Sequence, residues 1–167
     1  QTSTQPNTIY QEAYSYKASD LVISKNSIIF SNNKNEFFLL DKETGMIQWK
    51  QSINSYVRPT IIDNLIFTVS LEGYLVIIDK KSGKILRATD IFDIFKKKKR
   101  EKILPVGFIV AKNHIYLSTS NGRLLLIDFI TGKTKAAYKI DNDKISSPIV
   151  LNKSFYLAKD SSIIRLN

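Results

Sequence analysis

The chain has 167 residues, 43% hydrophobic and 11% aromatic, a composition able to bury a core and far from that of disordered chains. Its formal charge is +10, from 25 Lys and Arg against 15 Asp and Glu, and it contains no Cys. The missing Cys excludes disulfide frameworks, thiolate metal sites and cysteine nucleophiles, while the charge raises acidic surfaces or nucleic acid as partners.

The opening segment QTSTQPNTIY lacks the basic and apolar regions of a signal peptide, and no apolar stretch approaches the roughly 18 residues of a membrane-spanning helix. The chain as given therefore reads as soluble. Branched and aromatic residues dominate and Ala and Glu are scarce, which suits pleated, partly buried strands, so the class is all-β.

In chain order, Asn7 to Tyr16 reads as a strand, and LVISKNSIIFS (21–31) as two short strands joined at a polar turn around Asn26. A third strand follows in NKNEFFLLDKETGMIQW (33–49), where Phe37 to Leu40 are apolar towards both faces, and a fourth runs from Ile47 to Ser52. The same order then recurs. TIIDNLIFTVS (60–70) turns at Asp63-Asn64 and leads into SLEGYLVIIDKKSGKILR (70–87); FIVAKNHIYLSTS (108–120) turns at Lys112-Asn113 and leads into SNGRLLLIDFITGKTKAA (120–137). PIVLNKSFYLA (148–158) turns at Asn152-Lys153, and KDSSIIRLN (159–167) begins a fourth copy.

Two landmarks move together through these copies. Asp41, Asp79 and Asp128, and likewise Gly45, Gly83 and Gly132, step by 38 and then by 49 residues. Asp-x-x-Thr/Ser-Gly fits a type I turn closed by a glycine with positive φ, the aspartate capping exposed amides. Four strands per period of about 40 residues, with a third strand covered on both faces, predict β-propeller blades, each stacked between two neighbours.

The longer second period places its 11 extra residues in IFDIFKKKKREKIL (91–104), a connection between blades that belongs on a rim. As a solvated loop it serves solubility. As a contact site, Phe92, Ile94 and Phe95, beside Ile91, anchor on a partner while Lys96, Lys97, Lys98, Lys99 and Arg100 meet acidic groups. Nucleic acid is not the expected partner, because stacking aromatics interleaved with cations along a groove are missing and Trp49 sits inside a strand pattern. The single histidine, His114, lies between two strands next to Asn113, where a solvated turn residue is expected, and cannot by itself assemble a catalytic triad.

Over Leu39-Leu40-Asp41-Lys42-Glu43-Thr44-Gly45-Met46-Ile47-Gln48-Trp49 the chain resembles the PQQ-like repeat, whose pattern runs small residue, x, Asp, three residues, Gly, three residues, Trp. The resemblance implies that Trp49 packs on the turn of the next blade. Arg87 and Ala136 stand in its place in the second and third copies, so regular docking is not expected there. Across about residues 8 to 167 the order is most similar to the C-terminal half of the BamB family, the propeller lipoproteins of the outer-membrane β-barrel assembly machinery. That resemblance implies an eight-bladed ring in the periplasm, tethered to the outer membrane by an N-terminal lipid and acting as a non-catalytic, protein-binding scaffold beside the barrel-inserting subunit.

On this pattern the chain is a single partial propeller domain (1–167) of about four blades. Its repeats lie near 21–56, 57–106, 107–146 and 147–167, and residues 7–16 form the outer strand of a further blade. The family's lipidated Cys is absent, so a fragment is expected, with membrane attachment only through that absent anchor. A half ring exposes two apolar end faces. Three covers are open: the missing half as a separate chain, self-association of two copies into one ring, or a four-bladed ring closed by Asn7 to Tyr16.

Quinoprotein dehydrogenases share this repeat, and their chemistry requires a carboxylate base beside a calcium-bound quinone. The acids here do not cluster in that way, and turn capping accounts for Asp41, Asp79 and Asp128. Catalytic residues, metals and bound cofactors are therefore not expected. Two other readings stay open, a fragment of a PQQ-dependent dehydrogenase and a sensor propeller similar to the luminal domain of unfolded-protein kinases.

Overall fold

Period-2 alternation in the strands, broken every few residues by Asn, Asp or Gly, produces a succession of antiparallel meanders. The computed structural model describes residues 15–152 and 154–166. Blade one orders its strands as β1 (Val22–Ser24), β2 (Ser27–Asn32), β3 (Glu36–Asp41) and β4 (Ile47–Gln51). Blade two contains β5 (Thr60–Ile62), β6 (Leu65–Val69), β7 (Tyr74–Asp79) and β8 (Ile85–Asp90). Blade three contains β9 (Pro105–Ala111), β10 (His114–Thr119), β11 (Arg123–Asp128) and β12 (Thr134–Lys139). Among the described residues blade four has three strands, β13 (Ile149–Leu151), β14 (Ser154–Lys159) and β15 (Ser162–Leu166). One short helix, α1 (Lys97–Arg100), lies between β8 and β9.

The apolar run of β7 shows why the blades stack. Leu75, Val76, Ile77 and Ile78 are all buried, but alternate side chains leave opposite faces of the strand. Leu75 and Ile77 enter a cluster with Phe67, Val69, Phe108, Ile115, Leu117, Leu125 and Ile127, between blades two and three. Val76 and Ile78 enter another with Ile29, Phe37, Leu39 and Ile66, between blades one and two. A smaller cluster of Leu124, Ile145 and Leu157 joins blades three and four. Each fully buried aliphatic or aromatic side chain contributes about 1.5–3 kcal/mol, so the inter-blade faces, more than the strand ladders, hold the array together.

The end blades differ from the middle ones. In β3, Phe37 and Leu39 are buried against blade two, while Phe38 faces the other way and stacks on Phe30 with ring centroids 5.1 Å apart. At the far end Ile149, Leu151 and Ile163 are exposed by 61%, 60% and 76%. Among the described residues no apolar cluster joins blade four to blade one. Of the strand expected at Asn7 to Tyr16, residues 7–14 lie outside the described residues. Immediately after it, the Lys17 carbonyl accepts the Asn33 amide at 2.9 Å and Ala18 forms a bridge with Asn32.

Candidate partner-binding rim and central groove

The repeated Asp-x-x-Thr/Ser-Gly turns are built alike. The amides of Gly45, Gly83 and Gly132 donate to the carbonyls of Asp41, Asp79 and Asp128 at 2.8–2.9 Å, and these glycines adopt φ of 70°, 71° and 72°. Oδ1 of each aspartate accepts the amide and hydroxyl three residues on, in Thr44, Ser82 and Thr131, at 2.6–3.0 Å. These bonds stabilise the charged form. The Thr44 amide and hydroxyl hold Asp41 below the usual carboxylate range, and the Ser82 hydroxyl and amide do so for Asp79. Asp128 is lowered first by Lys135, whose Nζ lies 2.6 Å away, and then by Thr131. All three carboxylates are committed to their own turns.

Trp49 lies on the turn of blade two: its indole N–H donates to the Lys80 carbonyl at 2.9 Å, and its ring packs parallel to Phe37 at 6.1 Å. A Cβ at Gly83 would stand 2.7 Å from the Trp49 ring, so this glycine is needed for the close approach as well as for its φ. The docking recurs at the next interface despite the substitution, which corrects the expectation drawn from Arg87. The Arg87 guanidinium crosses to the turn of blade three and donates to the carbonyls of Ile130 and Phe129. A long side chain carrying N–H donors reaches the same neighbouring turn that an indole N–H reaches one blade earlier. Ala136 has no such reach, and Tyr116 packing on Phe155 at 4.4 Å joins blades three and four instead.

The insertion at 91–104 is folded. Ile91 and Phe92 are fully buried between blades two and three, and a Cβ on Gly73 would overlap the Phe92 ring. Phe92 is therefore a core anchor and not a partner contact, because the groove beside Gly73 takes the first apolar pair of the segment. Phe95 is half-buried and meets Phe92 edge-on at 5.7 Å, while Ile94 is 45% exposed.

Arg100 is also committed internally. It pairs with Asp90 at 2.7 Å and donates to the carbonyls of Phe95 and Asp93 at 2.9 and 2.8 Å. This clamp folds the segment back on itself and permits a helix with no acidic residue in its first turn. Lys96, Lys97, Lys98 and Lys99 are exposed, and among the described residues they make no ion pair.

Between this segment and blade three lies a concave pocket of about 300 Å³. Ile94, Phe95, Ile103 and Ala137 supply apolar lining; Lys96, Lys99, Asn121 and Arg123 supply polar groups. Asn121, Arg123 and Ala137 escaped the sequence reading because they belong to the third repeat, about twenty to forty residues away. The one local signal was Arg123, a cation heading the apolar run of β11.

His114 opens β10 half-buried and opposite Ala111 and Asp128, so it is a strand residue and not part of a turn. A larger groove of about 1020 Å³ is bordered by the inner strands of all four blades, with Asp20, Arg58 and Asp63 among its lining residues. No group of three His, Asp or Glu among the described residues is placed to hold a metal ion. The repeat aspartates, bound into their turns, do not line this groove.

Radially stacked antiparallel blades closed by aspartate–glycine turns, with a tryptophan seated on the next turn, define a β-propeller of the PQQ-repeat type. The family model described as outer membrane protein assembly factor BamB matches residues 2–89, and the chain belongs to that family. Its fold is similar to that of BamB from Moraxella catarrhalis, with a TM-score of 0.69 at 12% identity over 88% of this chain and 42% of that one. The computationally designed Ika8 protein gives 0.67 at 15% identity, over 89% and 45%. A quinohemoprotein alcohol dehydrogenase from Pseudomonas putida HK5 gives 0.60 at 17%, over 72% and 20%. The chain thus spans less than half the length of the first two. No curated protein sequence matches it significantly.

Proposed function

We propose that the chain is a non-catalytic protein-binding scaffold of the outer-membrane β-barrel assembly type, working in the periplasm at the outer membrane. The observation that carries this reading is membership of the BamB family together with a folded rim insertion that presents Ile94, Phe95 and four exposed lysines with no ion pair among the described residues. Spare cations beside apolar groups suit a protein surface, since charge steers the encounter and the apolar groups supply affinity on contact. The partner that fits is the barrel-inserting subunit of the machinery.

The test is titration of the purified subunit against this chain by calorimetry. Saturable binding that weakens with salt is expected, and no binding at micromolar concentrations refutes the reading. The dehydrogenase reading predicts instead that added quinone and Ca²⁺ bind and support dye reduction, whereas a scaffold does neither.

A further inference from the structure

We infer that the pocket between the rim insertion and blade three receives one apolar side chain of an acidic peptide segment in a partner protein. The flanking carboxylates of that segment meet Lys96, Lys99 and Arg123. This rests on the scaffold reading and specifies what the scaffold recognises.

Shape, charge and rigidity lead to the same occupant. The cavity of about 300 Å³ is large enough for a single Phe or Leu side chain and too small for a folded element. Ile103, only 3% exposed, lines the cavity with Ile94, Phe95 and Ala137, so a seated apolar side chain exchanges water for apolar neighbours. Lys96, Lys99 and Arg123 line it as well.

Lys96 to Lys99 repel one another, and among the described residues no carboxylate pairs with them. Asp90 is taken by Arg100, and the segment's other acids, Asp93 and Glu101, do not line the pocket. An acidic ligand removes this repulsion, whereas a basic one increases it. The Arg100 clamp and the buried Phe92 hold the site in shape before binding, so little ordering cost falls on association. Concavity favours a discrete side chain over the flat surface of a bilayer.

The test uses the whole chain and fluorescence anisotropy with a labelled twelve-residue peptide carrying one Phe between runs of Asp and Glu. Two control peptides replace the Phe by Ser or the acids by Lys. The Phe-containing acidic peptide is expected to bind at least tenfold more tightly than either control. Its affinity is expected to fall at least tenfold in the Lys96→Glu/Lys99→Glu variant and in Ala137→Leu, which fills the pocket. Circular dichroism and melting of both variants should match the parent chain.

Equal binding of the Ser peptide overturns the inference in favour of simple charge attraction. An Ala137→Leu affinity equal to that of the parent, or displacement of the peptide by phosphatidylglycerol vesicles, overturns it as well. Peptide failure with retained binding of the barrel-inserting subunit removes the pocket and leaves the scaffold; failure of both removes both.

Discussion

Substitution of Gly83 by Ala separates two causes of glycine dependence that sequence cannot distinguish. Gly45 and Gly83 have the same backbone, φ 70° and 71°, in the same turn. A Cβ on Gly45 meets nothing within 4 Å, so Gly45→Ala should cost only the left-handed backbone penalty, about 1 kcal/mol. A Cβ on Gly83 lies 2.7 Å from Cγ and Cδ2 of Trp49, at the base of a ring held by Phe37 and by a hydrogen bond to Lys80. These atoms cannot swing aside without undocking the indole, which adds about 1–3 kcal/mol of overpacking.

Gly83→Ala should therefore destabilise by about 3 kcal/mol, and Trp49→Ala, in a half-buried site, by about 2–3 kcal/mol. In the Trp49→Ala background the clash is gone, and Gly83→Ala should again cost about 1 kcal/mol, leaving the double variant about 2 kcal/mol more stable than additivity predicts. Urea unfolding followed by far-ultraviolet circular dichroism measures all four, while the fluorescence of Trp49, the single tryptophan, reports on the blade-one interface where it is retained. Equal costs for Gly45→Ala and Gly83→Ala, or strict additivity, would refute the reasoning.

Arg87→Ala should lower stability by about 1–2 kcal/mol through its lost carbonyl contacts, whereas Arg87→Trp should stay within about 1 kcal/mol of the parent in the same unfolding assay. The Lys159 ammonium, 2.7 Å away, and the amides of Asp143 and Asn142 hold Asp141 down to about 2, and Asp41, Asp79 and Asp128 are lowered too. Because these folded values lie below the ordinary one, the stabilisation is complete above about pH 4 and is lost as pH falls towards 2. Melting temperature should drop across that window, and Asp141→Asn should flatten the drop. Arg100→Gln should release the rim insertion without unfolding the blades, seen as faster tryptic cleavage between Lys96 and Lys102 with an unchanged melting temperature. The exposed end faces should make the chain associate with concentration in light scattering, and Ile163→Lys should reduce the associated fraction.

Strands, turns and the repeat are legible in the sequence because their causes are local. The short apolar run from Tyr74 to Asp79, the aspartate three residues before Thr or Ser, and a glycine free to adopt positive φ all act within one hairpin, so a window of ten residues contains the whole cause. A second landmark at the same spacing then leads from hairpins to blades.

Burial is different, because it depends on what lies opposite. In IFDIFKKKKREKIL nothing local distinguishes Phe92 from Phe95, or Arg100 from the lysines before it. Gly73 decides the first by offering a groove that Phe92 fills, and Asp90 decides the second by drawing one cation inward. The replacement of Trp by Arg at position 87 looked like a lost contact until the carbonyls of Phe129 and Ile130 stood within its reach. Chain order alone thus determined the blade and its repeat, while the tertiary structure decided which side chains of the rim face a partner, since that choice is made by residues tens of positions away.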